Sequence, residues 1–217
     1  MAREKENPDR KDRKMTPSFD PKTHIYRNTE TGLIIENSTT ILEKAGLSDF
    51  SKANPDVLRR AQEFGKAVHL ACHLYDANNL NMSSLSPALE PYLEAWILFE
   101  KDTGFKVESS EQIVYSKKWN YAGTYDDVGS WDNMKTLIDI KSGSMIPKTT
   151  GLQMSSYMEA YNEERKVADK IKRRVAVQLL GNGKWNPKEY KEKSDFRVFT
   201  SCLNVINWRL NNNIKEN

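Results

Sequence analysis

Apolar side chains recur every three or four residues in some stretches and alternate with polar ones in others, so the chain predicts helices and strands in mixed order. The clearest helix opens at Asn54-Pro55-Asp56: Asn caps, Pro takes the first helical position, and an acid meets the positive end of the dipole. Val57, Ala61, Phe64, Val68, Ala71 and Tyr75 then form one stripe, which predicts a helix to about Tyr75 with that face buried. A second helix carries Leu93, Trp96, Ile97 and, at its edge, Glu100. Pro91 belongs in its first turn or breaks it, and Thr103-Gly104 ends it. The last helix, about Asp195 to Leu210, aligns Phe196, Phe199, Leu203, Ile206 and Leu210. Two shorter ones begin at the capping-box pair Thr40 and Glu43, stopping near Gly46, and near Leu152, where Gln153 and Tyr157 share a face.

The strands fall between these. Apolar residues around a Thr31-Gly32 turn predict a hairpin from His24 to Ile35. Phe105 to Val107 and Glu111 to Lys117 alternate, and Trp119-Asn120-Tyr121 turns the chain into a strand from Ala122 to Trp131. A short link from Gly129 to Lys135, carrying Asp132 and Asn133, leads to Leu137 to Lys141 and suits an antiparallel hairpin. Arg173 to Leu180 reads as a buried strand, Gly181-Asn182-Gly183 as a turn, and Trp185 to Lys193 as a Lys-rich edge strand. Asn78 to Pro87 and Ser142 to Gly151 are loops. Residues 1–18 alternate charges with almost nothing apolar and predict a mobile arm, leaving 19–217 as a single domain.

Composition narrows the class. Of 217 residues, 38% are hydrophobic, and the mean hydropathy is −0.74, which describes a polar, soluble protein with one core. No apolar run approaches the roughly 20 residues of a membrane span, so no membrane partner is expected. The chain is charged from Arg3 onward without an apolar signal core, so secretion is not indicated. Cys72 and Cys202 form no framework and read as free thiols in a reducing, cytoplasmic compartment. No Gly-rich phosphate loop is present, which argues against nucleotide hydrolysis or a nucleotide cofactor. A net charge of +3 does not identify a nucleic-acid partner, but basic residues gather in the last third. There Arg173, Arg174, Lys184 and Trp185 are candidate DNA contacts in a track of cations and rings. Ordinary surface charge, balanced by residues such as Glu163, Glu164 and Glu189, accounts for the pattern equally well.

The chemistry concentrates between Ala122 and Tyr157. Strand alternation puts Asp139 and Lys141 on one side of the sheet and Ile140 on the other. Asp126 closes the preceding strand, while alternation aims its neighbour Asp127 at the opposite face. Two acids and a lysine converging on a hairpin make a seat for a divalent cation and an attacking water, although Asp-x-Lys alone is also common on solvated strands.

Gly123-Thr124-x-Asp126, twelve residues, Asp139-x-Lys141, and then Gln153-xxx-Tyr157, with Gly65-xxx-His69 on the preceding helix, together resemble the PD-(D/E)XK nuclease superfamily. The likeness is to its RecB-like or Cas4-like branch and phage-type exonucleases, and covers roughly Ile25 to Arg209. It implies a restriction-endonuclease-like α/β core, a central mixed β-sheet flanked by helices. The activity it implies is that of a metal-dependent deoxyribonuclease, first an exonuclease in DNA recombination, repair or phage replication. A structure-selective or nicking endonuclease and a non-catalytic DNA-binding or assembly module are the alternatives.

By the same resemblance His69, Asp126, Asp139 and the carbonyl of Ile140 hold Mg²⁺ or Mn²⁺. Lys141 orients or deprotonates the water, and Gln153 and Tyr157 position it or a phosphate. Glu111 reads either as a further ligand or as an exposed strand-end carboxylate. Without the resemblance, His69 reads as a satisfied, half-buried histidine. Gly65 in a helix interior implies close approach by another backbone or a substrate. His69 and His73 have zinc-like spacing but lack the acid of the zincin pattern, so His73 is assigned to the surface. Two distant cysteines do not supply an iron-sulfur cluster. DNA is the implied partner, together with a phage recombination or helicase protein, in a bacterial or phage-infected cytoplasm; an oligomer is compatible, since ring-shaped trimers occur among more distant relatives.

Overall fold

Asp132 and Asn133 both take left-handed backbone angles, φ 52° and 59°, the conformation a two-residue hairpin turn requires. They join β5 (Tyr121–Trp131) to β6 (Met134–Lys141), so the link is tighter than the seven residues expected between Gly129 and Lys135, and both strands are correspondingly longer. The computed structural model describes residues 17–20, 23, 25–48 and 54–214. The predicted charged arm lies, up to residue 16, outside the described residues, as does His24.

The architecture is α/β, a mixed eight-stranded sheet flanked by helices. The opening hairpin pairs β2 (Ile25–Arg27) with β3 (Ile34–Asn37), and β1 (Ser18–Asp20), which the sequence pattern did not predict, extends it. β4 (Lys106–Ser116) is one strand rather than two, antiparallel to β5. β6 runs parallel to β7 (Arg173–Leu179), and β8 (Trp185–Glu189) returns antiparallel to it and stops short of Lys193.

One side of the sheet is covered by α4 (Thr150–Asn162) and α5 (Asp195–Asn211), with α1 (Ser38–Lys44) alongside. Tyr121, Tyr125, Leu137, Met154, Phe199 and Leu203 meet in that core. The other side is covered by α2 (Pro55–Asp76) and α3 (Glu90–Thr103), with Trp96, Phe99, Phe105, Ile138, Ile140 and Val177 packed together. Burial of these side chains, each worth about 1.5–3 kcal/mol, drives the layering. No helix among the described residues is long and apolar enough to cross a membrane.

Helix starts mostly follow the expected chemistry. Asn54 accepts from the amides of Asp56 and Val57, and Pro55 opens α2. Pro91 sits in the first turn of α3, and Gly104, at φ 66°, closes it. Two expectations are corrected. The cap of α1 is Asn37, whose side chain takes the Thr40 amide at 2.8 Å, so Thr40 lies inside the helix instead of capping it. Val57 and Ala61 are exposed, so the buried stripe of α2 begins at Phe64.

Candidate metal centre

The centre forms where the sheet forks. On one edge of β5, β3 pairs with Tyr121 and Ala122, and β6 pairs only from Asp127 onward. Residues 123–126 are left between two diverging strands, and beyond Ile138 the β5 side of β6 is open. The buried amide of Ile140 would lose its partner there, a cost comparable to a broken buried hydrogen bond. Asp126 supplies the acceptor: its Oδ2 takes the Ile140 N–H at 2.7 Å. The side chain thus continues the pairing that the backbone has abandoned, and is held against the strand that carries Asp139 and Lys141.

Its other oxygen faces α2. Oδ1 of Asp126 lies 3.3 Å from Nδ1 of His69. From the opposite strand comes Glu111, a non-glycine residue at φ 50° in the middle of β4. The β4–β5 ladder passes from Ser110↔Asp127 to Gln112↔Tyr125 and skips the Glu111–Asp126 step. A left-handed residue inside a strand costs on the order of 1–3 kcal/mol and is held only by its surroundings. Here the result is that a ligand atom from each of His69, Glu111 and Asp126 falls within 4.8 Å of the other two. One imidazole nitrogen and two carboxylates at this spacing fit a divalent cation.

Asp139 takes a different partner. It is 5% exposed and ion-paired at 2.7 Å through Oδ2 to Nζ of Lys141, two residues along β6 as alternation requires. Gln153 donates from Nε2 to Tyr157 Oη at 2.8 Å and reaches Thr39 Oγ1 at 3.4 Å. The Tyr157 ring lies directly over Gly123, where any added Cβ would collide with it. That contact explains the glycine of the Gly-Thr-x-Asp run: it lets α4 close over the fork.

Electrostatics follow from this crowding. Burial disfavours the charged form of His69, but the adjoining Asp126 carboxylate outweighs it and holds the imidazolium to about pH 9. Asp126 is partly desolvated, yet His69 and Lys141 keep its carboxyl below the ordinary range. Desolvation, with the Asp126 charge added, pushes the solvent-accessible Glu111 up to about 7. Burial raises Asp139 despite Lys141, and Lys141, though buried, is raised by the two aspartates. The cluster therefore carries protons that a bound cation would displace.

Of the residues expected at a metal centre, His69, Glu111 and Asp126 form the close cluster, whereas Asp139 is paired with Lys141 and is not part of it, and Gln153 bonds Tyr157. Ile140 contributes its N–H to Asp126, while its side chain packs into the α2–α3 core. Asp127 is buried against Ser110 Oγ, with burial holding its carboxyl well above the ordinary range, apart from the His69 cluster. His73 is half-buried rather than at the surface and stands outside that cluster. Gly65 is not required by the described chain, since an added Cβ would meet only Ser142 Oγ at 3.7 Å.

The basic track is where the structure departs most from expectation. Arg174 is 4% exposed: its guanidinium bonds the carbonyls of Gly151 and Glu192 and pairs with Asp195 at 3.0 Å. Arg173 lies over the Trp131 ring at 4.4 Å and bonds Thr136 and the Trp131 carbonyl. Trp185 packs on Phe99 and donates to Asp102. Of the four proposed contacts only Lys184 is exposed. The other three are spent on the fold because a strand start and a core edge need them there.

Tyr26, which sequence reasoning missed, belongs to the same region. Its hydroxyl meets Thr124 Oγ1 at 2.7 Å, and burial, with a smaller contribution from Glu111, raises its pKa. No local spacing signals this, because the pair is 98 residues apart. No family model matches the chain, and no curated protein matches it.

Proposed function

We propose that the chain is a metal-dependent deoxyribonuclease of the PD-(D/E)XK type, hydrolysing DNA phosphodiester bonds, most simply as an exonuclease in recombination, repair or phage replication. The observation that carries the proposal is the fork: His69, Glu111 and Asp126 close to within 4.8 Å beside the Asp139–Lys141 pair at 2.7 Å. Solvated Asp-x-Lys strands have no reason to bury an acid and a lysine together, because desolvating the two charges costs several kcal/mol each.

The residues that would hold the cation are His69, Glu111 and Asp126, beside the Asp139–Lys141 pair. A bound divalent cation supplies charge neutralisation at the phosphate and acidifies water. In the metal-free chain the two aspartates raise Lys141, which suits its ammonium to offset charge developing on phosphate oxygens. Asp139 fixes that ammonium. Gln153 and Tyr157 wall the opposite side of the fork, where a phosphate or water is positioned by hydrogen bonds.

The test compares wild type, Lys141→Ala and Asp139→Asn on linear and covalently closed duplex and on single-stranded DNA, with Mg²⁺, Mn²⁺ or EDTA. Metal-dependent loss of linear DNA alone, abolished by either substitution, establishes the exonuclease. Cutting of closed circles makes it an endonuclease. DNA bound but uncut under every metal overturns the enzymatic reading in favour of a binding module.

A further inference from the structure

Residues 123–126 lie open between the diverging β3 and β6, and a side chain of the opening hairpin contacts this stretch. Tyr26 of β2 stacks its ring on Phe19, the centroids 4.7 Å apart, and is 5% exposed. Its hydroxyl meets Thr124 Oγ1 at 2.7 Å. Alternation along β5 turns Tyr121, Gly123 and Tyr125 toward α4. It turns Ala122, Thr124 and Asp126 toward the other face, where Ala122 packs with Tyr26 and Asp126 meets His69. Thr124 therefore shares a face with Asp126, two residues along, at a spacing of about 7 Å. Across the ladder Thr124 stands opposite Ile113, two residues from Glu111, and the Glu111 charge is felt at the Tyr26 hydroxyl.

Two hydroxyls bring two protons, and the bond between them uses one. Neither oxygen has another partner among the described residues. The phenol is the more acidic donor and the aliphatic hydroxyl the better acceptor, so Tyr26 donates. The Thr124 proton is left over, and the bond that Thr124 accepts makes it a stronger donor. Pinning the hairpin to β5 needs no such surplus: a phenol bonding a backbone carbonyl suffices, as Tyr121 does with Ser156. The carboxylates within reach, Glu111 and Asp126, are those assigned above to the cation. Half-buried Thr124 thus holds an unspent donor beside a site built for a phosphate.

We propose that Thr124 is a further catalytic residue, donating its hydroxyl proton in a hydrogen bond to a nonbridging oxygen of the phosphate to be cut, and that Tyr26 is its positioning residue. This rests on the nuclease reading above and adds a donor on the cation's side of the fork. The bond strengthens as charge gathers on that oxygen, so its effect falls on the chemical step and not on binding.

The experiment uses the full chain as wild type, Thr124→Val, Thr124→Ser and Tyr26→Phe, with single-turnover cutting of linear duplex in Mn²⁺. DNA affinity in Ca²⁺, Mn²⁺ affinity and melting temperature are measured alongside. Thr124→Val should slow cutting about a hundredfold, the scale of one lost transition-state donor, and Thr124→Ser should restore it. Tyr26→Phe, which keeps the ring, should slow it about tenfold. A phosphorothioate of one configuration at the cut phosphate, whose sulfur accepts hydrogen bonds poorly, should slow wild type more than Thr124→Val. Equal rates in wild type, Thr124→Val and Tyr26→Phe overturn the donor and leave the nuclease reading standing. Losses confined to DNA affinity, Mn²⁺ affinity or melting temperature mark the pair as a structural pin and overturn it too. Wild type that cuts nothing overturns both readings.

Discussion

At the scale of the residue, the proposed function makes His69 the group that selects among cations. An imidazole nitrogen favours Mn²⁺ over Mg²⁺, which prefers oxygen and sheds water reluctantly. A ligand histidine must be neutral, and Asp126 keeps this one protonated to about pH 9. Mn²⁺ binding should therefore tighten about tenfold per pH unit up to that value and release a proton, with Glu111 adding a second proton dependence below about 7. Titration calorimetry in buffers of different ionisation heat reads both. His69→Asn should remove the upper dependence and narrow the Mn²⁺ to Mg²⁺ ratio; an unchanged pH slope in that variant would show that another group carries the proton.

Gly123 makes a second residue-scale case. Because Tyr157 occupies the space of a Cβ, Gly123→Ala should cost about 1–3 kcal/mol as an overpacking change. Combined with Tyr157→Ala, the alanine at 123 should cost nothing further. Urea unfolding of the four species gives the coupling directly, and additive losses would mean that the ring is not what excludes the methyl.

At the scale of the element, Asp139 and Lys141 were legible because a strand has a period of two, and Gln153 and Tyr157 because a helix turn joins positions four apart. What was not legible came from ladder ends. The carboxylate of Asp126 bonding the Ile140 amide depends on where β3 and β6 separate, and Glu111 turning inward depends on an interrupted β4–β5 step; neither leaves a trace in local periodicity. Arg174 misled for the opposite reason, since a cation in a basic run looks like surface until its partners are known. Those partners are the first turn of α4, the segment before α5, and Asp195. Arg174→Ala should thus destabilise the fold by about 3–5 kcal/mol, by stranding Asp195 and loosening the helix that carries Gln153 and Tyr157. Lys184→Ala should change stability by less than about 0.5 kcal/mol. Denaturant melts separate the two; an Arg174 variant of wild-type stability that binds DNA weakly would return this residue to the surface track.

At the scale of the whole molecule, partly buried acids between α2 and α3 contribute to how stability varies with pH. Between α2 and α3, burial raises Asp76 to about 6, even though Trp96 Nε1 donates to both its oxygens, and raises Glu100 to about 7. Both folded values exceed the ordinary carboxylate range, so the folded chain binds protons that the unfolded chain releases, and stability falls as pH climbs from about 4 to 7. His69 has the same sign in a later window. Its stabilisation is complete below about pH 6.5 and is lost as pH rises through 9. Asp126 and Glu192, held low, act oppositely, and they lose their contributions under acid conditions below their ordinary values. The metal-free protein should therefore be most stable at about pH 4, with a melting temperature that declines toward pH 9. The slope is at most about 1.4 kcal/mol per pH unit for each proton involved. Asp76→Asn with Glu100→Gln should lessen the decline between pH 5 and 7, because an amide there has no charge to desolvate, while Glu111, also raised to about 7, keeps part of it and His69 contributes above pH 7. A wild-type melting temperature that rises across this range would mean that the buried acids remain ionised, and that the α2–α3 side of the sheet holds solvent or counter-charge close to them.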